Sequence, residues 1–216
     1  MKGLRLAFIS FLGAGALLGP AMPGAWAQQA KNSGAKPAAK PAAAAPAAPS
    51  YAQRYAQVCA ACHGANGRSD MQGVPALAGQ PSFYAITQLF LFREGRRANE
   101  AMTAVAKTMT DDDMRGFSDF IGTLAPVPAP PPAPAPHAQR MARGEQLATE
   151  PKCVFCHGEG FSGGPQVPRI AQQQEDYLAA TLHEFKSGKR PGYSMAMSEA
   201  LRPVPAADLD TLAYYL

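Results

Sequence analysis

Charge is scarce in this sequence: 17% of its 216 residues are Asp, Glu, Lys or Arg, below the roughly 25% of a typical soluble domain. It has one tryptophan and only four cysteines, too few for a disulfide-dense small scaffold. No apolar run reaches the ~20 residues that cross a bilayer. The nearest, Leu4 to Leu18, is broken by Gly13 and Gly15. No stretch sustains the apolar/polar alternation of a strand, which leaves helices as the expected structure. Proline is plentiful instead, with 21 residues beside 20 glycines, and that argues against one continuous domain.

The short apolar run reads as an address. Lys2 and Arg5 precede it, Pro20 follows it, and Ala25-Trp26-Ala27 supplies an A-x-A cleavage site. Residues 1–27 are therefore expected to be a secretory signal peptide, with an uncleaved anchor as the rival. Export predicts a periplasmic protein. Without residues 1–27 the chain keeps 18 basic and 16 acidic groups. A net charge of +2 removes the electrostatic basis for binding nucleic acid.

Composition divides the rest. Residues 28–50 hold ten Ala and four Pro with no apolar period, so they read as a tether that buries no core and allows loose membrane association. Residues 126–136 hold seven prolines, a semi-rigid spacer. Two blocks remain, 51–125 with 7 basic and 7 acidic groups and 137–216 with 8 and 9. They repeat each other. Cys59-Ala-Ala-Cys-His63 matches Cys153-Val-Phe-Cys-His157, and Val74-Pro75-Ala-Leu77-Ala-Gly-Gln80 matches Val167-Pro168-Arg-Ile170-Ala-Gln-Gln173. Tyr84, Gly95, Arg97 and Met102 match Tyr177, Gly188, Arg190 and Met195. So many matches at offsets of 93 and 94 residues indicate a duplicated domain.

Each block reads as about three short helices. Ser82 is expected to cap one that Gly95 ends, and Thr110 with Asp113 forms a capping box before the stripe Met114, Phe117, Phe120, Ile121, Leu124. Leu178, Leu182 and Phe185, then Leu209, Leu212 and Leu216, repeat the pattern. Cores of this size rarely stand without a covalent or metal staple.

The Cys-x-x-Cys-His motif supplies one. Two thiols on one helical turn suit thioether attachment of one porphyrin, and the adjacent His offers its imidazole to the iron. Cys59, Cys62, Cys153 and Cys156 are thus expected to hold two covalent haem c groups, with His63 and His157 as iron ligands. A zinc site joining both pairs would need far shorter spacing, a thioredoxin-like pair needs a βαβ context, and a disulfide in each pair is the remaining rival. The sixth ligand separates a carrier from a catalyst. Met102 and Met195 match in the repeat and fall in Gly/Pro/polar stretches that read as loops; Met197 is the competitor in the second block. Met109 and Met114 read as core. His183 replaces Phe90 and reads as a partly exposed helical residue. Pro75 and Pro168 are expected to offer a carbonyl to the Nδ1–H of each histidine.

Taken together these motifs resemble the dihaem cytochrome c4 family over residues 51–216. The resemblance implies an all-α fold of two tandem class I cytochrome c domains joined by the Pro-rich linker. It implies a periplasmic electron carrier rather than an enzyme, with His63/Met102 and His157/Met195 as axial pairs. Arg97 and Arg190 match the basic residue before the Met loop and would stabilise haem propionates. The implied partners are a quinol-oxidising complex or dehydrogenase as donor and a terminal oxidase or reductase as acceptor. A small peroxidase-like enzyme with one open haem, or a tethered subunit of a dehydrogenase or oxidase complex, are the other readings. The extension at 28–50 and the proline-rich spacer depart from a compact member.

Overall fold

The computed structural model describes residues 48–128, 135–149, 153–190 and 195–216. The expected signal peptide, tether residues 28–47 and linker residues 129–134 lie outside them. Both halves fall within one compact unit. Among the described residues there are ten α-helices, two 3₁₀ turns and no strand beyond an isolated bridge between Gly164 and Val167. No described helix is long and apolar enough to cross a membrane.

The first half comprises α1 (Tyr51–Val58), α2 (Ala60–His63), α3 (Ser82–Arg93), α4 (Glu100–Ala106) and α5 (Asp111–Thr123). Helix α1 starts at a capping box in which Ser50 and Gln53 satisfy each other's backbone. The Thr110/Asp113 box opens α5 as its sequence indicates. Ser82, however, is the first helical residue of α3 and not its cap; Pro81 holds that place without a side-chain bond. The reason is tertiary. Ser82 Oγ lies where a Cβ on Gly122 would stand, so Ser82 packs against α5. Gly95, with φ +64, turns the chain out of α3. Tyr55, Leu89, Met109, Met114, Phe117 and Ile121 form the buried core.

The second half repeats the order with α6 (Ala138–Thr149), α7 (Cys153–His157), α8 (Glu175–Lys186), α9 (Met195–Leu201) and α10 (Leu209–Tyr215). Leu147, Leu178, Leu182, Leu201, Val204, Leu209 and Leu212 make its own core. Each half thus has five helices where periodicity indicates about three. The additional pairs are α2 and α7, four and five residues long, and α4 and α9, seven each. Helices this short have no periodic signature and are marginal alone. Side-chain caps hold the latter two: Asn99 accepts from the Met102 N–H, and Lys186 donates to Leu201 O and Arg202 O.

Between the motifs each half makes the same turn. The N–H groups of Leu77 and Ala78 both donate to Gly67 O, and those of Ile170 and Ala171 to Phe161 O. Gly79 N–H then donates to Leu124 O at 2.8 Å, and Gln172 N–H to Leu216 O at 2.9 Å. These turns bring each proline over its histidine.

Candidate functional site

Cys59, Cys62 and His63 stand on one turn because α2 begins immediately after Cys59, whose carbonyl accepts from the His63 N–H at 2.9 Å. Gly64, with φ +76, then reverses the chain; a Cβ there would lie 2.1 Å from Arg68 O. Ser69 Oγ donates to Cys62 O at 2.7 Å and ties the returning loop down. In α7, Cys153, Cys156 and His157 repeat the arrangement, followed by Gly158 at φ +75. Among the described residues no disulfide joins the four cysteines; the leading one of each pair is half-buried and the second exposed. Burial pushes the Cys59 thiol up to about 11 and raises Cys153 as well.

Both histidines are buried. His63 Nδ1 donates to Pro75 O and His157 Nδ1 to Pro168 O, each at 2.9 Å. Burial lowers both imidazole pKa values, and the proline carbonyls only partly oppose it. The rings are therefore neutral, with Nδ1 committed and the Nε2 lone pair left as the one ring acceptor. Two thiols and one neutral imidazole on a single turn are the donor set that covalent haem needs, so the residues present fit that group in both halves.

The methionines lie differently from their sequence reading. Met102 is the third residue of α4, and Met195 the first of α9, so neither is in a loop. The repeat offset pairs Met102 with Met195. The helices pair it with Met197, also third in its helix. Two residues are inserted between Arg190 and α9 relative to the first half, so the register shifts after the arginine. Met102 and Met197 each pack against the core of their own half, whereas Met195 is 80% exposed. Met109 and Met114 are core residues. His183 sits on the surface of α8, its Nε2 2.9 Å from Asp210 Oδ1.

Arg97 and Arg190 meet at the seam between the halves. Arg97 donates to Gln88 Oε1 and, across the seam, to the Tyr177 hydroxyl, both at 2.8 Å. Arg190 donates to Thr181 Oγ1 at 3.0 Å and also bonds the Tyr177 side chain. Burial alone would raise the Tyr177 phenol, but the two guanidiniums outweigh it and hold it at about 8.

Sequence reasoning assigned no role to the residues that close the seam. Gln80 Nε2 donates to Arg169 O at 2.8 Å, and Gln173 Nε2 to Ala76 O at 2.9 Å. Asp176 accepts from the Gly73 N–H, and Gln174 donates to Ser69 O. The signal for the first pair was present, since Gln80 and Gln173 match in the repeat.

A family model described as cytochrome c matches residues 50–125 and again 141–216. Cytochrome c4 of Thiocapsa roseopersicina is 35% identical over 138 residues, which cover 62% of this chain and 71% of that protein. A thiosulfate dehydrogenase electron acceptor of Thiomonas intermedia is 35% identical over 141 residues; the match spans 62% of this chain and only 65% of that protein's length. The solved structure of Acidithiobacillus ferrooxidans cytochrome c4 superimposes with a TM-score of 0.62 at 26% identity, covering 74% of this chain and 98% of that one. With two matched donor sets in two matched five-helix halves, the chain belongs to the cytochrome c family, as a tandem pair of covalent-haem domains of the cytochrome c4 kind.

Proposed function

We propose that this protein carries single electrons between redox proteins in the periplasm. The observation that carries the reading is the matched pair of Cys-x-x-Cys-His turns, each with its histidine buried and tied through Nδ1 to a proline carbonyl, within one unit. When bound, each haem supplies a reversible one-electron couple. Cys59 and Cys62 hold the first and Cys153 and Cys156 the second; His63 and His157 offer Nε2. Met102 and Met197 are the sulfur ligands, Met197 rather than Met195 because it shares Met102's place in its helix and packs inward. Pro75 and Pro168 fix the imidazole tautomer. Arg97 and Arg190, half-buried on either side of the Tyr177 phenol, would hold the haem propionates.

Partners follow the chemistry of a small carrier. A quinol-oxidising complex or a dehydrogenase donates, and a terminal oxidase or reductase accepts. Similarity to thiosulfate dehydrogenase electron acceptors favours a thiosulfate-oxidising dehydrogenase as donor. Residues 28–50 tether the carrier loosely to the membrane surface.

The test is optical. The oxidised holoprotein is expected to show the weak far-red Met-to-ferric-haem band for both haems, and the reduced form to resist carbon monoxide. Met197→Ala removes half the band and opens one haem to carbon monoxide, whereas Met195→Leu leaves both unchanged. One haem's worth of band in the parent protein, or prompt carbon monoxide binding at half the sites, overturns the carrier reading.

A further inference from the structure

The histidine bonds reach beyond their own halves. Pro75 C=O and Ala76 N–H belong to one peptide group. At the carbonyl end it accepts from His63 Nδ1 at 2.9 Å. At the N–H end it donates to Gln173 Oε1 of the second half at 2.6 Å. Gln173 Nε2 returns a bond to Ala76 O at 2.9 Å. These two bonds set the orientation of the Gln173 amide, because only its oxygen can receive an N–H and only its nitrogen can serve a carbonyl. The pseudo-equivalent unit is incomplete. His157 Nδ1 donates to Pro168 O, and Gln80 Nε2 donates to Arg169 O. Gln80 Oε1, however, is buried without a hydrogen-bond partner among the described residues. The chain from seam to imidazole is therefore complete in one direction only.

We propose that Gln173 is a positioning residue that acts across the seam, through the Pro75–Ala76 peptide, to lower the reduction potential of the first haem relative to the second. Hydrogen bonds in series through one amide polarise each other, by roughly 10–30% per bond. A more negative Pro75 oxygen draws the Nδ1 proton of His63 and makes Nε2 a stronger donor. A stronger imidazole donor favours ferric iron, which lowers the potential. An electron shared between the haems is thereby biased toward the second half. The proposal rests on His63 being an axial ligand.

The experiment uses the full-length holoprotein and a potentiometric titration in which haem-specific NMR signals resolve the two midpoints. Gln173→Ala, and Gln173→Met at nearly constant volume, are expected to raise the first midpoint, leave the second in place and shift the shared electron toward the first half. Gln80→Ala removes the matching Nε2 bond of the seam without touching the Ala76 N–H, and is expected to leave the first midpoint unchanged. An unmoved first midpoint in both Gln173 variants overturns the proposal. So does an equal upward shift in Gln80→Ala, because a loosened seam then sets the potential. Absorption spectra separate this outcome from failure of the ligand reading: with low-spin His/Met spectra in every variant, an unmoved midpoint sinks the proposal alone, whereas a parent protein without such spectra sinks the ligand reading first.

Discussion

Two turn positions divide the halves at the level of single residues. Gly67 and Gly79 have φ of +79 and +75; their counterparts Phe161 and Gln172 hold φ of +56 and +59 with a side chain attached. A non-glycine residue in this region costs about 1–2 kcal/mol. Phe161 recovers part of it by packing edge-on against Tyr215, ring centroids 6.1 Å apart. The Gln172 side chain accepts a long 3.4 Å bond from Arg169. Gln172→Gly should therefore stabilise the second half by about 1 kcal/mol, after allowing for the greater freedom of glycine in the unfolded chain. Denaturant unfolding of the holoprotein, read at the second half's haem signals, checks this; an unchanged or lower midpoint contradicts it. The paired glycines at 95 and 188 were legible in the sequence because both halves keep them. The strain at 161 and 172 was not, since neither residue signals a left-handed turn until the backbone is seen.

Among the elements, the terminal helices of each half meet where a glycine faces a tyrosine. On α5, a Cβ at Gly116 would stand 2.0 Å from the Tyr51 ring of α1; on α6, a Cβ at Gly144 would stand 2.3 Å from Tyr215 Cβ and 3.0 Å from Thr211 O of α10. The partners are exchanged: the glycine sits on the second helix of the pair in the first half and on the first helix in the second half. Tyr51 can swing its ring aside at the chain's entry to α1, whereas Tyr215 Cβ and a backbone carbonyl cannot yield without moving α10. Gly144→Ala should cost about 2–3 kcal/mol and Gly116→Ala about 1 kcal/mol. Thermal unfolding of the two holoproteins tests the order, and an equal or reversed loss refutes it. The apolar stripes of α5, α8 and α10 announced themselves through periodicity. Helices α4 and α9 did not, because a seven-residue helix held by Asn99 or Lys186 carries no amphipathic repeat of its own.

At the scale of the whole molecule, the two halves are nearly neutral, with 7 basic and 7 acidic groups in one and 8 and 9 in the other. Neither presents a strong field to a partner, so encounter depends on shape and apolar contact more than on long-range steering. Electron exchange with a physiological partner should slow by less than about threefold between low and physiological ionic strength. A steep fall in the second-order rate contradicts this. The seam is closed by the amide side chains of Gln80, Gln173 and Gln174, the Asp176 carboxylate and the Arg97–Tyr177 bond, which are directional and hold the halves in one register.

The sequence by itself determined the number of haem sites, the cysteines and histidines that make them, and the tandem helical plan, because covalent attachment requires residues adjacent on one turn and a duplication repeats them at a fixed offset. The tertiary structure decided that Met197 and not Met195 shares the place of Met102, since two residues inserted after Arg190 shift the helix register without altering either motif. It also decided that Gln173 reaches the peptide holding His63. That contact joins residues about a hundred positions apart, and its energy comes from packing one half on the other, which no local spacing records.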